Sequence, residues 1–257
     1  MKIYQCEDSI EGIFTAIYNV YEDKCSHTDT RISLTDELFL FAEYITVQTD
    51  VHKARKVINT LCRRFGQEDY WKVCMALASF EQEKAQAVYQ TIVNGLTENS
   101  RVGHLLDNLA NESVHRTFTL FRATNNEYLH LRGFIRFSEL ENGVLYAKIN
   151  PKNNVLTFLM PHFADRFPLE NFMLYDGGRQ LFGIHPAGSD WYLVQEREEN
   201  FNEELFQMSK GELRYQELFQ YFCHKIAIKE RKNLTLQRNM LPLRFRENMI
   251  EFDVKEK

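Results

Sequence analysis

Hydrophobic spacing changes period once along this chain, near Leu131, and that change limits what the chain can fold into. Upstream, apolar residues recur three and four apart, as in Ile10, Ile13, Phe14, Ile17 and Tyr21, or Val51, Ala54, Ile58, Leu61 and Phe65. This is the period of a helix with one face on a core. Downstream, Phe134, Arg136, Ser138 and Leu140, then Leu145, Ala147 and Ile149, follow the two-residue period of strands. The expected class is α+β: a helix-rich N-terminal half packed with a small antiparallel sheet of hairpins, closed by a long C-terminal helix. Residues 1–125 form the mainly helical region. Residues 126–257 carry the sheet, the C-terminal helix and a basic tail, expected to make one compact unit with the first.

Local signals place the elements. Lys2–Gln5 reads as a short strand, and Asp8 with Glu11 three residues on as the cap of the first helix. The segment Leu38–Val47 fits helix or strand. Asp50 caps a second helix that Gly66 closes, residues 68–79 read as a buried helix, the next stops at Gly95, and a further one runs from about Arg101 to Ala123. Asn142-Gly143 predicts a two-residue hairpin turn, pairing Leu140 with Leu145, Ser138 with Ala147 and Arg136 with Ile149. Pro161 opens a short helix, His162–Phe167, ended by Pro168. Gly177-Gly178 joins Phe172–Asp176 to Arg179–Ile184 and sets Asp176 opposite Arg179, with a third strand at Trp191–Gln195. Ser209 and Glu212 stand at capping-box spacing before a helix with Leu213, Leu218, Phe219, Phe222 and Ile226, its last turn holding Lys229, Arg231 and Lys232.

Composition narrows the class further. With 257 residues the chain can bury a full core unaided, and its few prolines (5) and glycines (11) argue for prominent helices. No apolar leader or spanning segment is present, so a cytoplasmic, membrane-free protein is expected. The five cysteines are widely separated and lack Cys-x-x-Cys spacing. Reduced, mostly buried thiols are expected, with no disulfide frame, no metal and no cofactor. Walker, dinucleotide-binding, nucleophile-elbow and His-Glu-x-x-His motifs are absent. Charge is uneven: Tyr221–Arg246 holds seven Lys/Arg and one acid, a net of +6, leaving −11 for the rest of a chain whose formal charge is −5. A basic tail on an acidic body suggests an oriented partner.

Several polar residues are candidates for a site. Arg136 falls on the apolar side of its strand, where a guanidinium either meets a carboxylate or lines a cleft. His162, Asp165 and Arg166 share one helix side, as an oriented base or a surface pair. Arg132, Arg136, Arg166, Arg179, Arg231, Lys232, Arg244 and Arg246 would meet phosphate, with Tyr146, Phe134 and Phe137 stacking on bases. The outer face of the second helix, with His52, Lys53, Arg55, Lys56, Arg63 and Arg64, is either solvated or a further phosphate contact.

Taken in order, Tyr4-Gln-Cys-Glu-Asp8 with Gly12-Ile-Phe-Thr-Ala16, His130-x-x-Gly-Phe134 with Arg136-Phe137 and Glu139, His162-Phe163 with Arg166-Phe167, Asp176 with Arg179, and Ile226-Ala-Ile-x-Glu-Arg231 resemble a bacterial family labelled "probable DNA metabolism protein". Its members stand alone or ahead of a uracil-DNA glycosylase-like domain, beside a radical-SAM protein. The resemblance implies a DNA-linked role and a protein partner, and supplies no catalytic residues. Many members read Glu-x-His-Arg where this chain has His130-Leu-Arg132. His185-Pro186 is similar to the His-Pro-Ser loop of uracil-DNA glycosylases, but Ala187-Gly188-Ser189 follows and it reads as an ordinary turn.

Three readings result. The first is an accessory protein of DNA metabolism or repair that binds nucleic acid and works with a radical-SAM or glycosylase-like partner. The second is an enzyme on DNA or nucleotides, with His162 as general base oriented by Asp165 or Asp176. The third is a protein-binding scaffold with an exposed apolar patch near the C-terminal helix.

Overall fold

The computed structural model describes residues 1–35, 39–98, 100–195, 206–228 and 231–252. The chain divides into two compact units, Met1–Asn126 and Glu127–Lys257, and is α+β as its periodicity predicts.

The first unit is built on a three-stranded parallel sheet: β1 (Lys2–Gln5) lies between β2 (Thr30–Ser33) and β3 (Glu43–Thr46). Parallel neighbours need a crossover, and α1 (Ile10–Glu22) supplies it between β1 and β2. Ile3 and Tyr4 on the central strand are fully buried. Ser9, rather than Asp8, caps α1, its Oγ accepting the Gly12 N–H at 3.0 Å. Asp8 instead pairs with the Lys84 Nζ at 2.6 Å. Helix α2 (Val51–Leu77) begins at Asp50, whose Oδ1 accepts the N–H groups of His52 and Lys53. Gly66 breaks it at φ 88°, ψ 168°, so two helical segments meet at that residue as the glycine predicts.

Helix α3 (Lys84–Thr97) does not stop at Gly95; the glycine sits inside it against Leu105 and Phe65. Residues 101–111 are turns. Asn111 Oδ1 accepts the N–H groups of Ser113 and Val114, and α4 (Glu112–Phe134) starts there, later than expected, and runs past Leu131. Its buried row is Val114, Thr117, Leu120, Thr124, Glu127 and Leu131. Two threonines and an acid interrupt the apolar count, which is why the sequence period ends too soon.

The second unit carries a five-stranded sheet in the order β4 (Ser138–Glu139), β5 (Leu145–Ile149), β6 (Phe172–Asp176), β7 (Leu181–His185), β8 (Tyr192–Gln195). All its pairs are antiparallel except β5 and β6, which run parallel through the crossover helix α5 (Leu156–Arg166). That helix is longer than the expected His162–Phe167: Leu156, Leu159, Met160 and Phe163 form its buried row, and Pro161 lies inside it on the exposed side.

Both hairpin turns differ from expectation. Leu140 N–H bonds Val144 O at 2.9 Å and Gly143 takes φ 79°, so a three-residue loop ending in a left-handed glycine replaces the two-residue turn. Ser138 therefore pairs with Tyr146 and Glu139 with Leu145, one residue from the expected register, and Arg136 lies before the strand. At the second turn Asp176 pairs with Leu181 across a four-residue loop, with Gln180 rather than either glycine at positive φ.

Helix α6 (Lys210–Ile226) starts at Ser209, whose Oγ accepts the Glu212 N–H at 3.0 Å. It ends before Arg231 and Lys232, so these are not in its last turn; Lys229 lies outside the described residues. Helix α7 (Leu234–Met240) follows, and neither of these two helices buries a residue.

Candidate nucleic-acid interface

Half of the expected phosphate-binding cations are engaged within the second unit. Arg136 meets Glu251 at 2.7 Å and also donates to the Gly133 and Ile135 carbonyls, so of the two fates read for it the structure shows the carboxylate. Arg179 donates to Asp176 Oδ2 at 2.9 Å and to the carbonyls of Pro151 and Lys152. The expected clamp exists, although it closes through the loop and not across paired strand positions. Arg244 reaches Glu127 at 3.3 Å and lies 4.6 Å over the Phe245 ring. Arg246 donates to Leu241 O and lies 4.7 Å over Phe252.

Behind these arginines are two buried carboxylates. Asp176 is fully buried, and its Oδ1 accepts the Gly178 and Arg179 N–H groups. Burial pushes its carboxyl up, and Arg179 with the two backbone donors pulls it back. Glu127, 1% exposed, accepts the Lys152 N–H at 3.1 Å, the Asn153 N–H at 2.8 Å and the Asn153 amide at 2.7 Å. The 151–153 loop is thus held by its N–H groups on Glu127 and by its carbonyls on Arg179. Nothing in the periodicity marked Glu127, because the helix read from the sequence stopped at about Ala123 and left this acid beyond it.

The expected stacking aromatics also have protein neighbours. Phe134 sits between His130 (5.6 Å) and Phe245 (5.7 Å), and Phe137 packs edge-on against Phe163, Phe167 and Phe172. Tyr146 packs on Phe206 at 5.0 Å.

Arg132, His162 and Arg166 stand apart from this network. Arg132 occupies the last turn of α4 and Arg166 the last residue of α5; both are exposed, and neither forms an ion pair among the described residues. Each guanidinium lies over one of its own helix's or cap's rings, Tyr128 at 5.5 Å and Phe167 at 5.6 Å, contacts of about 0.5 to 1 kcal/mol at exposed sites. His162 is half-buried on α5 beside them. Desolvation lowers its pKa from 6.5, Arg132 and Arg166 lower it further, and Asp165 only partly opposes them. The three groups therefore share a positive field in which the imidazole is neutral at pH 7. Asp165 is exposed near His162 as the helical spacing predicts, whereas Asp176 is committed to Arg179. Arg231 and Lys232 are exposed beyond α6.

Another place for an anion would be the carboxyl ends of the parallel strands in the first unit, where α1 and α2 both begin. There the helix N-termini are capped by Ser9 and Asp50, and the buried Lys84 is neutralised by Asp8 while donating to Ser79 O at 2.7 Å. The Cys6 thiol at this edge is pushed up to about 12 by burial and by Asp8 and Glu7, which makes it inert.

Residues 82–251, more than half of the chain, match the model of DUF4130, a domain of unknown function. No curated protein matches the chain. A solved DHH domain, described as belonging to a family of ribosomal proteins, is similar over 72% of this chain and 73% of its own, at 8% identity and a TM-score of 0.29. So low a score carries no argument.

Proposed function

We propose, for a chain that belongs to the DUF4130 family of domains of unknown function, a role as an accessory protein of DNA metabolism that contacts phosphate through Arg132, His162 and Arg166 and works with a partner enzyme. The supporting observation is the one just described: Arg132 and Arg166 are exposed, form no ion pair among the described residues, and add to desolvation in lowering the pKa of His162. Neighbouring backbone phosphates placed there would each take a charge-assisted contact from one arginine, and one beside His162 would favour imidazolium as a third contact. The radical-SAM or glycosylase-like character of the partner comes from the family resemblance of the short motifs.

Fluorescence anisotropy of labelled single- and double-stranded DNA tests this. Three phosphate contacts give a salt slope of about −2 to −3, so affinity should fall roughly 20- to 60-fold between about 50 and 200 mM salt. Arg132→Gln with Arg166→Gln should remove about two from that slope, while Arg136→Gln should leave it unchanged. Acidification supplies an internal check through its sign. A bound phosphate raises the His162 pKa, so affinity should rise as pH falls through about 6.5. The free protein behaves oppositely: its folded-state pKa is depressed, the unfolded chain binds the extra proton, and stability is lost over the same descent. Unchanged affinity in the double variant, or binding indifferent to salt, would sink the assignment.

A further inference from the structure

The strongest unexplained feature is the outward side of α6. On its inward side Gln216 donates to Ser138 Oγ at 3.1 Å and Gln220 to the Ile250 carbonyl at 2.9 Å, with Phe219 and Cys223 half-buried beside them. Polar groups thus fasten the helix to its own unit, and part of the apolar arc faces away. Tyr215, Leu218, Phe222 and Ile226 stand at i, i+3, i+7 and i+11, the spacing of one helical seam, and each is more than half exposed. Four consecutive seam positions left in water form a single stripe. Scattered apolar residues are normal on a surface; a stripe at this spacing is the signature of a docking face.

The flanking charges choose the occupant. Advancing 100° per residue, Arg214 and Lys225 fall within about 20° of each other along one border of the stripe. Glu212 lies on the inward side and bonds Gln216, while Glu217 and Lys210 fall side by side farther round the helix, where their charges offset. A second copy of the chain, pairing antiparallel through the same stripe, would bring this basic border against its own counterpart, like charge on like. An apolar groove edged with carboxylates presents no such conflict.

We infer that α6 inserts Tyr215, Leu218, Phe222 and Ile226 into an apolar groove bordered by carboxylates on a different protein. Aromatic anchors in the seam supply buried area at low entropic cost, and the cationic border fixes the helix direction. The inference deepens the accessory part of the proposed role: it rests on a partner's existence and is independent of the phosphate contact on α4 and α5.

The test starts with a photo-crosslinking residue in place of Leu218 in the native cell, followed by purification of the captured protein and reconstitution of the pair. Support requires that Leu218→Asp with Phe222→Asp weaken the reconstituted complex at least 30-fold, and that Arg214→Glu with Lys225→Glu weaken it about tenfold or more. That second loss should be recovered when carboxylates at the partner's groove are changed to lysine. No substituted residue is buried, so circular dichroism should be unchanged in every variant. Failure of the face to crosslink, or binding indifferent to both pairs, overturns the inference. So does a homodimer in sedimentation abolished by the stripe variant, or stripe-dependent flotation with phosphatidylglycerol/phosphatidylcholine vesicles. DNA anisotropy on the same variants should not move, which lets the two readings fail separately.

Discussion

At the residue scale, Glu127 is the side chain whose loss should be felt most in the second unit. It holds three N–H donors of the 152–153 turn and the Arg244 guanidinium while almost wholly buried. Glu127→Ala removes the acceptor that these donors share at a buried site, at a cost of about 1 to 3 kcal/mol, while the partly exposed Arg244 turns to water. Urea denaturation should show that loss as a lower midpoint; a loss under about 1 kcal/mol would mean that water replaces the carboxylate. Short-range polar pairs were legible in the sequence: Asp50 and Ser209 cap their helices, and Asp176 finds Arg179. Those contacts span two or three residues. Glu127 acts on a turn 25 residues away, and no local rule reports it. The thiols depart from expectation: of five read as mostly buried only Cys74 is, its pKa raised by burial to about 12, while Cys6, Cys25, Cys62 and Cys223 are partly exposed.

At the element scale, helices were read well wherever their buried rows are purely apolar, and misread where a polar residue takes a buried place or a glycine is taken for punctuation. Gly95 shows the second case. A methyl group there would lie 2.4 Å from Leu105 Cδ1 and 3.1 Å from the Phe65 ring, so the glycine exists to let α3 approach its neighbours and not to end it. Gly95→Ala should accordingly destabilise the first unit by about 1 to 3 kcal/mol, the cost of overpacking a filled core. Ordinarily the same change inside a helix gains up to about 1 kcal/mol, so thermal or urea unfolding decides between packing and propensity by its sign. Strands were harder to read. In the three-stranded sheet Lys2–Gln5 was read as it stands, but Thr30–Ser33 and Glu43–Thr46 are four residues long, too short for a period to declare itself, and the parallel pairing rests on partners 28 and 41 residues away. In the first hairpin, one extra loop residue shifted the register by one, which no composition of the strands could have revealed.

At the scale of the whole molecule, each unit is built round its own core. One centres on Phe14, Phe65, Tyr89 and Ile92, the other on Leu156, Met160, Phe172 and Leu174. The chain also has two tryptophans, one in each unit: Trp71 packs edge-on against Phe121 at 5.9 Å, and Trp191 packs against the second core. Removing one makes the other a reporter of its own unit. In Trp191→Phe, urea unfolding followed by fluorescence reports the first unit; there Gly95→Ala should lower the midpoint and Glu127→Ala should not. In Trp71→Phe the second unit reports, and the sensitivities should reverse. Units that keep separate cores melt separately unless a large apolar interface couples them, so the expected result is two midpoints, each moved by one substitution only. If either substitution shifts both reporters equally, the two cores unfold as a single cooperative structure, and the Glu127 network would then be stabilising the entire chain.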